Sequence, residues 1–216
     1  MTLHIDESGI PLSGVPKSIA GIIFDVGGVL ATFGQAEGRS SWASKLGLDE
    51  ASFREAVWEA TGSRGVDDTA SVVDRISTTL GIESVAASKL LADFNGHWLP
   101  NRDLLEFLRS LRPAYRTAAL SNAYSPARYA MEQMLDLHRS VDVLAISAEI
   151  GVEKPASAAY DFVSAHLGLS PHRCLFIDDV ADNVDGARAT GMSAFVHETN
   201  ELTLRRVREW LSDGNG

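Results

Sequence analysis

The chain has 216 residues, 45% apolar and 22% charged, with a single cysteine. That composition is ordinary for a globular protein and excludes an internal disulfide framework. The 29 acidic and 19 basic residues give a net charge of −10 with no run of Lys or Arg, which argues against nucleic acid or an anionic membrane as partner.

No apolar stretch reaches the roughly 20 residues that a bilayer span needs. The opening MTLHIDESGIPLSGVPKS has early acidic residues and no apolar secretory core, so a polar lead-in arm and a cytoplasmic location are expected. Beyond it, short apolar runs alternate with helical periodicity, the pattern of βαβ units and a parallel sheet. The first run, residues 19–24, ends at Asp25. From about residue 34 to 99 the alternation stops and no strand-like run is expected. Phe53, Val57 and Ala60 share one helical face there, as do Val72, Ile76 and Leu80, and then Ala87, Leu91 and Phe94. Gly47, Gly62, Gly65 and Gly81 punctuate the segment. An insertion after the C-terminal end of a strand lies over the ligand crevice of an open α/β sheet, so this segment is read as a cap.

Asn101 is the expected N-cap of a helix with the stripe Leu104, Leu105, Leu108 and Leu111. The second strand, 117–120, ends at Ser121-Asn122, and Ser125-Pro126 reads as an N-cap followed by proline at the first helical position. The third strand is 141–146. Lys154-Pro155 is expected to open a further helix that Gly168 closes. The fourth strand, 174–177, ends at Asp178-Asp179, and Gly191 closes the helix that follows. After a fifth strand at 193–196, Thr199 caps a last helix with Leu202, Val207 and Leu211 inward. The expected fold class is therefore α/β: a doubly wound parallel sheet from residues 1–33 and 100–216, with a helical cap at 34–99.

In a parallel sheet the C-terminal strand ends share one edge, so Asp25, Ser121-Asn122, Lys154 and Asp178-Asp179 can converge. Each has a bland explanation when taken singly: a turn carboxylate, a loop cap, a surface lysine, an acidic pair favoured at a helix N-terminus. As a set they describe a chemistry. A carboxylate can attack phosphorus and form an aspartyl-phosphate. Two more carboxylates beside it repel unless a cation sits among them, and Mg²⁺ is held by carboxylates, phosphate oxygens and water. Lys154 and the Ser121 hydroxyl suit the equatorial phosphoryl oxygens, and the helix expected from Pro155 would add its positive end.

The segments IIFDVGGVL, ALSNA, EKP and FIDDVADN resemble the four ordered motifs of the haloacid dehalogenase-like superfamily, and the helical insertion resembles its helical-cap subgroup. FD-x-G, SN, KP and the paired aspartates, with the Arg64-Gly65 turn, are further similar to phosphatases related to bacterial glucose-1-phosphatase. The resemblance implies Asp25 as nucleophile. It implies Asp179 as the principal Mg²⁺ ligand, with Asp178 beside it and a backbone carbonyl from Gly27. The Gly27-Gly28 turn, Ser121, Asn122 and Lys154 would hold the phosphoryl group, with Asn183 supporting them from behind. A small phosphorylated metabolite, a sugar phosphate by preference, is the implied substrate of a monomer or homodimer.

Most phosphatases of this superfamily carry a second aspartate two positions after the nucleophile, as general acid and base. Here that position is Gly27. A substitute donor such as His97, or an easy leaving group, would reconcile the glycine with a phosphatase. A 2-haloacid dehalogenase needs no acid, but it needs no metal either and would leave Asp178-Asp179 unbalanced. A catalytically silent protein binding a phospho-ligand or partner is the third reading. Phe33, Trp42, Trp58, Arg64, Trp98, Tyr124 and Arg128 are the candidates for substrate contact.

Overall fold

A computed structural model describes residues 19–33, 37–61, 68–95, 98–123 and 127–212. In chain order the elements are β1 (Gly21–Phe24), β2 (Ala31–Phe33), α1 (Glu37–Leu46), α2 (Glu50–Thr61), α3 (Thr69–Leu80) and α4 (Ser84–Asn95). There follow β3 (Trp98–Pro100), α5 (Arg102–Ser110), β4 (Arg116–Ser121), α6 (Ala127–Leu135), α7 (Leu137–Ser140) and β5 (Val143–Ile146). The chain continues with α8 (Ser147–Ile150), α9 (Ser157–His166), β6 (Cys174–Asp178), α10 (Ala181–Ala189), β7 (Ser193–Val196) and α11 (Asn200–Ser212).

The five apolar runs form one parallel sheet in the order β5-β4-β1-β6-β7. Alternate residues of each strand face opposite sides, so the sheet divides two cores. Ile22, Phe24, Leu175 and Ile177 pack on one face with Leu104, Leu108, Met131 and Val207 from α5, α6 and α11. Ile23, Phe176 and Leu120 pack on the other with Tyr160, Val163 and Val184 from α9 and α10. Burial on both faces is why these strands read as unbroken apolar runs. The chain leaves β1 toward β4 and β5, then returns to β6 and β7 on the other side of β1. The crevice of this doubly wound sheet thus opens between the ends of β1 and β6, the ends that carry Asp25 and Asp178.

Helices α1 to α4 bury a cluster of their own, including Trp42, Phe53, Val57, Val72, Ile76 and Leu90. Asp68 caps α3 by accepting from Ser71 N at 2.8 Å, and Gly81, at φ 64°, ends it.

The chain departs from the sequence reading in several places. A two-stranded antiparallel ribbon joins β2 to β3, with Phe33 opposite Trp98 and Ala31 opposite Pro100. Strands of three residues, one ending in proline, lack the length that signals a strand, and β3 enters the stretch expected to be helical alone. Asn101 stands at the N-cap of α5 but makes no side-chain cap bond. Its Nδ2 donates instead to Val29 O and Asn200 Oδ1, both at 2.8 Å. Helix α9 begins at Ser157 rather than Pro155, because the Asn122 side chain pairs with the Lys154 backbone in both directions, each bond 2.8 Å. On α11 the buried residues are Thr203 and Val207, with Leu204 and Leu211 packed beside them rather than Leu202. Gly168 and Gly191 close their helices with positive φ, as expected. The expected cap at Ser125-Pro126 lies outside the described residues, as does the Phe94 side chain.

Candidate active site

Asp25 follows β1 directly, and its N–H donates to Ile177 O at 2.8 Å, which extends the ladder to β6 by one residue. Asp178 ends β6 and Asp179 comes next. One oxygen from each of the three carboxylates lies within 4.8 Å of the others. Lys154 arrives from the loop before α9. Its buried ammonium donates to Asp25 Oδ1 at 2.5 Å, Asp178 Oδ2 at 2.7 Å and Leu120 O at 3.0 Å. An ammonium has three N–H groups, and three acceptors take them.

Asp178 is wholly buried, and the chain surrounds it with donors. Oδ1 accepts from Val180 N at 2.8 Å and Asn183 Nδ2 at 3.1 Å; Oδ2 accepts from Lys154 and again from Asn183 at 3.1 Å. Asn183 is set in turn by Tyr160, whose hydroxyl donates to its carbonyl at 2.6 Å. Asp179 is the exposed member of the trio. Gly28, at φ +87°, lies against it: a Cβ there would stand 2.1 Å from Asp179 Oδ2. Only glycine allows this approach.

Charge follows from that packing. Burial pushes the Asp25 carboxyl up to about 7, Lys154 opposes the rise, and Asp178 adds to it. Burial works against the Lys154 charge, yet Asp25 and Asp178 outweigh it and hold the ammonium above its ordinary range. Burial and the charge of Asp178 also raise Asp179. One cation among three carboxylates leaves an excess of negative charge, and the donors are all oxygen. This set fits a hard divalent cation such as Mg²⁺, with Asp25, Asp178 and Asp179 as the groups that could hold it.

The other residues singled out in the sequence fall as follows. Ser121 ends β4 and is buried at the same edge. Asn122 stands beside it, but both ends of its amide are committed to the Lys154 backbone. Gly27 bridges to Ala31, and a Cβ built on it would meet nothing within 4 Å. Trp42 and Trp98 are core residues, and Trp42 Nε1 donates to Asp93 Oδ2 at 2.9 Å. Arg128, on α6, donates to Glu149 of α8 and to Leu144 O of β5, and pairs with Glu132 on its own helix. Arg64, His97 and Tyr124 lie outside the described residues, as do the side chains of Phe33 and Trp58. Sequence reasoning missed His197, directly after β7, whose N–H donates to Asp178 O and whose Nδ1 lies 2.8 Å from Thr203 Oγ1. The rule that found the other groups, a polar residue just past a strand, would have found this one.

The site thus sets three carboxylates and a lysine at the switch point of an open parallel sheet. Residues 19–191 match the family model "Hydrolase: haloacid dehalogenase-like hydrolase", and the chain belongs to that family. It is 32% identical over 209 residues to a phosphatase of Mycobacterium tuberculosis, covering 90% of this chain and 94% of that one. It is 27% identical over 205 residues to D-ribitol-5-phosphate phosphatase of Bacteroides thetaiotaomicron, covering 86% and 98%. Among solved structures it resembles a haloacid dehalogenase family enzyme of Bacteroides thetaiotaomicron in complex with magnesium and inorganic phosphate. That match has a TM-score of 0.69 at 20% identity over 86% of this chain and 99% of that one. L-2-haloacid dehalogenase of Xanthobacter autotrophicus shares the fold, with a TM-score of 0.68 at 23% identity over 88% and 83%.

Proposed function

We propose that the chain is a Mg²⁺-dependent phosphatase that moves the phosphoryl group of a small phosphorylated metabolite to Asp25 and then to water. The observation that carries this reading is the Lys154 ammonium held between two buried carboxylates, with Asp179 beside them open to solvent. Magnesium, when bound, neutralises charge on the phosphoryl oxygens and on the carboxylates. Everything else falls to the chain. Lys154 fixes one oxygen of Asp25 and leaves the other to attack phosphorus. Asp178, itself held by the Asn183 amide, holds that lysine from behind. Ser121 lies at the same edge to receive a phosphoryl oxygen. Asn122 keeps the Lys154 backbone in place.

Relatives named as phosphatases support the reaction class, and the magnesium and phosphate of a structural relative support the cofactor. A substrate named D-ribitol-5-phosphate in one relative favours sugar phosphates. The separate apolar cluster of α1 to α4 supports a cap domain at 34–99 over a core of 1–33 and 100–216. Closure of such a cap would exclude water and position the substrate. A cytoplasmic location is proposed from the lone, buried Cys174; no described helix is long and apolar enough to cross a membrane.

Phosphate release from a panel of phosphomonoesters, with Mg²⁺ or with chelator, tests the reading in wild type and Asp25→Asn. Metal-dependent turnover that disappears in the variant is expected. Halide release from haloacids without metal, and no phosphate release, would sink it.

A further inference from the structure

Ser147 is the first residue of α8 and is wholly buried. Its side chain faces the loop after β4. The hydroxyl accepts from the Ala123 N–H at 2.9 Å and donates to the Ala123 carbonyl at 3.1 Å. The Ala148 N–H adds a bond to the same carbonyl at 3.2 Å. The sheet explains the need for this clasp. Strands β4 and β5 are paired as far as Ser121 opposite Ile146. There β5 turns into α8 and the ladder ends, while the chain after β4 still carries N–H and C=O groups that require partners. One hydroxyl, donor and acceptor at once, takes both.

Asn122 lies between Ser121, the last residue paired to β5, and the clasped Ala123, so its backbone is held on both sides. Asn122 is open to solvent, where an amide exchanges its partners for water at little cost. Its amide nevertheless pairs with the Lys154 N–H and carbonyl, each bond 2.8 Å. A backbone fixed beforehand favours that pairing, because less freedom is lost when the amide docks. Lys154 in turn gives its ammonium to Asp25, Asp178 and Leu120 O. We infer that Ser147 is a positioning residue of this site: by clasping Ala123 it presents the Asn122 amide to the Lys154 backbone and so sets the ammonium between the two buried carboxylates. It acts through Ala123 and Asn122, not on the substrate. The effect on turnover rests on the phosphatase reading; the effect on Lys154 does not.

The test has two arms. In the first, kcat and KM for p-nitrophenyl phosphate under saturating Mg²⁺ are measured for wild type, Ser147→Ala, Asn122→Ala and the double variant. Ser147→Ala is expected to lower kcat by about 10–100-fold, the scale of a small misplacement of a catalytic group, with KM changed far less. In the Asn122→Ala background the same substitution is expected to cost no more than about twofold, because the route to Lys154 is already cut. A serine that only stabilises the fold would lower Tm and leave the kcat of the folded protein alone. That result, or an equal cost in both backgrounds, overturns the inference. In the second arm, amide hydrogen exchange is followed in the metal-free wild type. The Ala123 and Lys154 N–H groups are expected to open as one unit with equal protection, and separate openings overturn the inference. This arm needs neither turnover nor a variant. It decides alone if Ser147→Ala does not fold, or if the wild type releases no phosphate, a result that would remove the phosphatase reading and not the positioning role.

Discussion

Asp25 can hold a cation and attack phosphorus only as a carboxylate, and burial brings its ionisation up to about 7. An acid raised in the folded state favours folding while it is protonated. Its contribution is present at low pH and is lost as pH climbs through about 7. Mg²⁺ binds the ionised form and works in the opposite direction. The metal-free protein should therefore lose thermal stability as pH climbs from the ordinary carboxylate range through about 7, while Mg²⁺ affinity rises over the same interval with release of a proton. Calorimetric titration at several pH values checks this; an affinity that stays level through that range would contradict it. Gly28 acts at the same scale, since any side chain there would displace the Asp179 carboxylate. Gly28→Ala is expected to weaken Mg²⁺ binding by about 10–100-fold, as loss of a supporting contact does, and to cost about 1–3 kcal/mol of stability. Wild-type affinity in that variant would mean the carboxylate does not depend on the glycine.

At the scale of elements, the backbone of α10 approaches the Lys154-Pro155 loop where Gly186 leaves room. A Cβ on Gly186 would stand 2.6 Å from Pro155 O and 3.0 Å from the Tyr160 hydroxyl. Gly186→Ala should push α10 and its Asn183 away from Asp178, at about 1–3 kcal/mol. Lowered Tm together with weaker Mg²⁺ binding is the expected pair of results, and an unaffected Tm would show that the helix has slack. The elements were legible in the sequence to the extent that they are periodic. The doubly buried strands stood out because residues 174–177 and 117–120 are apolar without a break, and the polar groups ending them gave the site its membership. The β2–β3 ribbon did not stand out, because it is two three-residue pieces joined only by long-range pairing. The true start of α9 depends on an amide 32 residues away in sequence, Asn122, taking the Lys154 backbone. Asn101 has the chemistry of a cap, but the Val29 carbonyl and Asn200, at the start of another helix, claim its amide. The role of Gly28 was hidden for the same reason: it exists only once Asp179 has been folded against it.

Over the whole molecule, two kinds of core serve two tasks. The sheet and its helices fix carboxylates that would otherwise repel, whereas α1 to α4 bury their own apolar cluster. If that cluster is the core of a cap, damage to it should spare the cation site. Ile76→Ala, at a wholly buried position of α3, is expected to cost about 2–5 kcal/mol and to raise KM while Mg²⁺ affinity stays within about twofold of wild type. Joint loss of Mg²⁺ binding would show that the helices and the sheet edge form one cooperative unit. The proposed reaction turns on Asp25 carrying the phosphoryl group. Its most direct test is acid quench during turnover with Mg²⁺ and a hydrolysed phosphomonoester, followed by mass analysis of the peptide that contains Asp25. A phosphoryl adduct on Asp25, absent with chelator and absent in Asp25→Asn, is the predicted result. Turnover with the adduct on another residue, or undiminished turnover in Asp25→Asn, would contradict it.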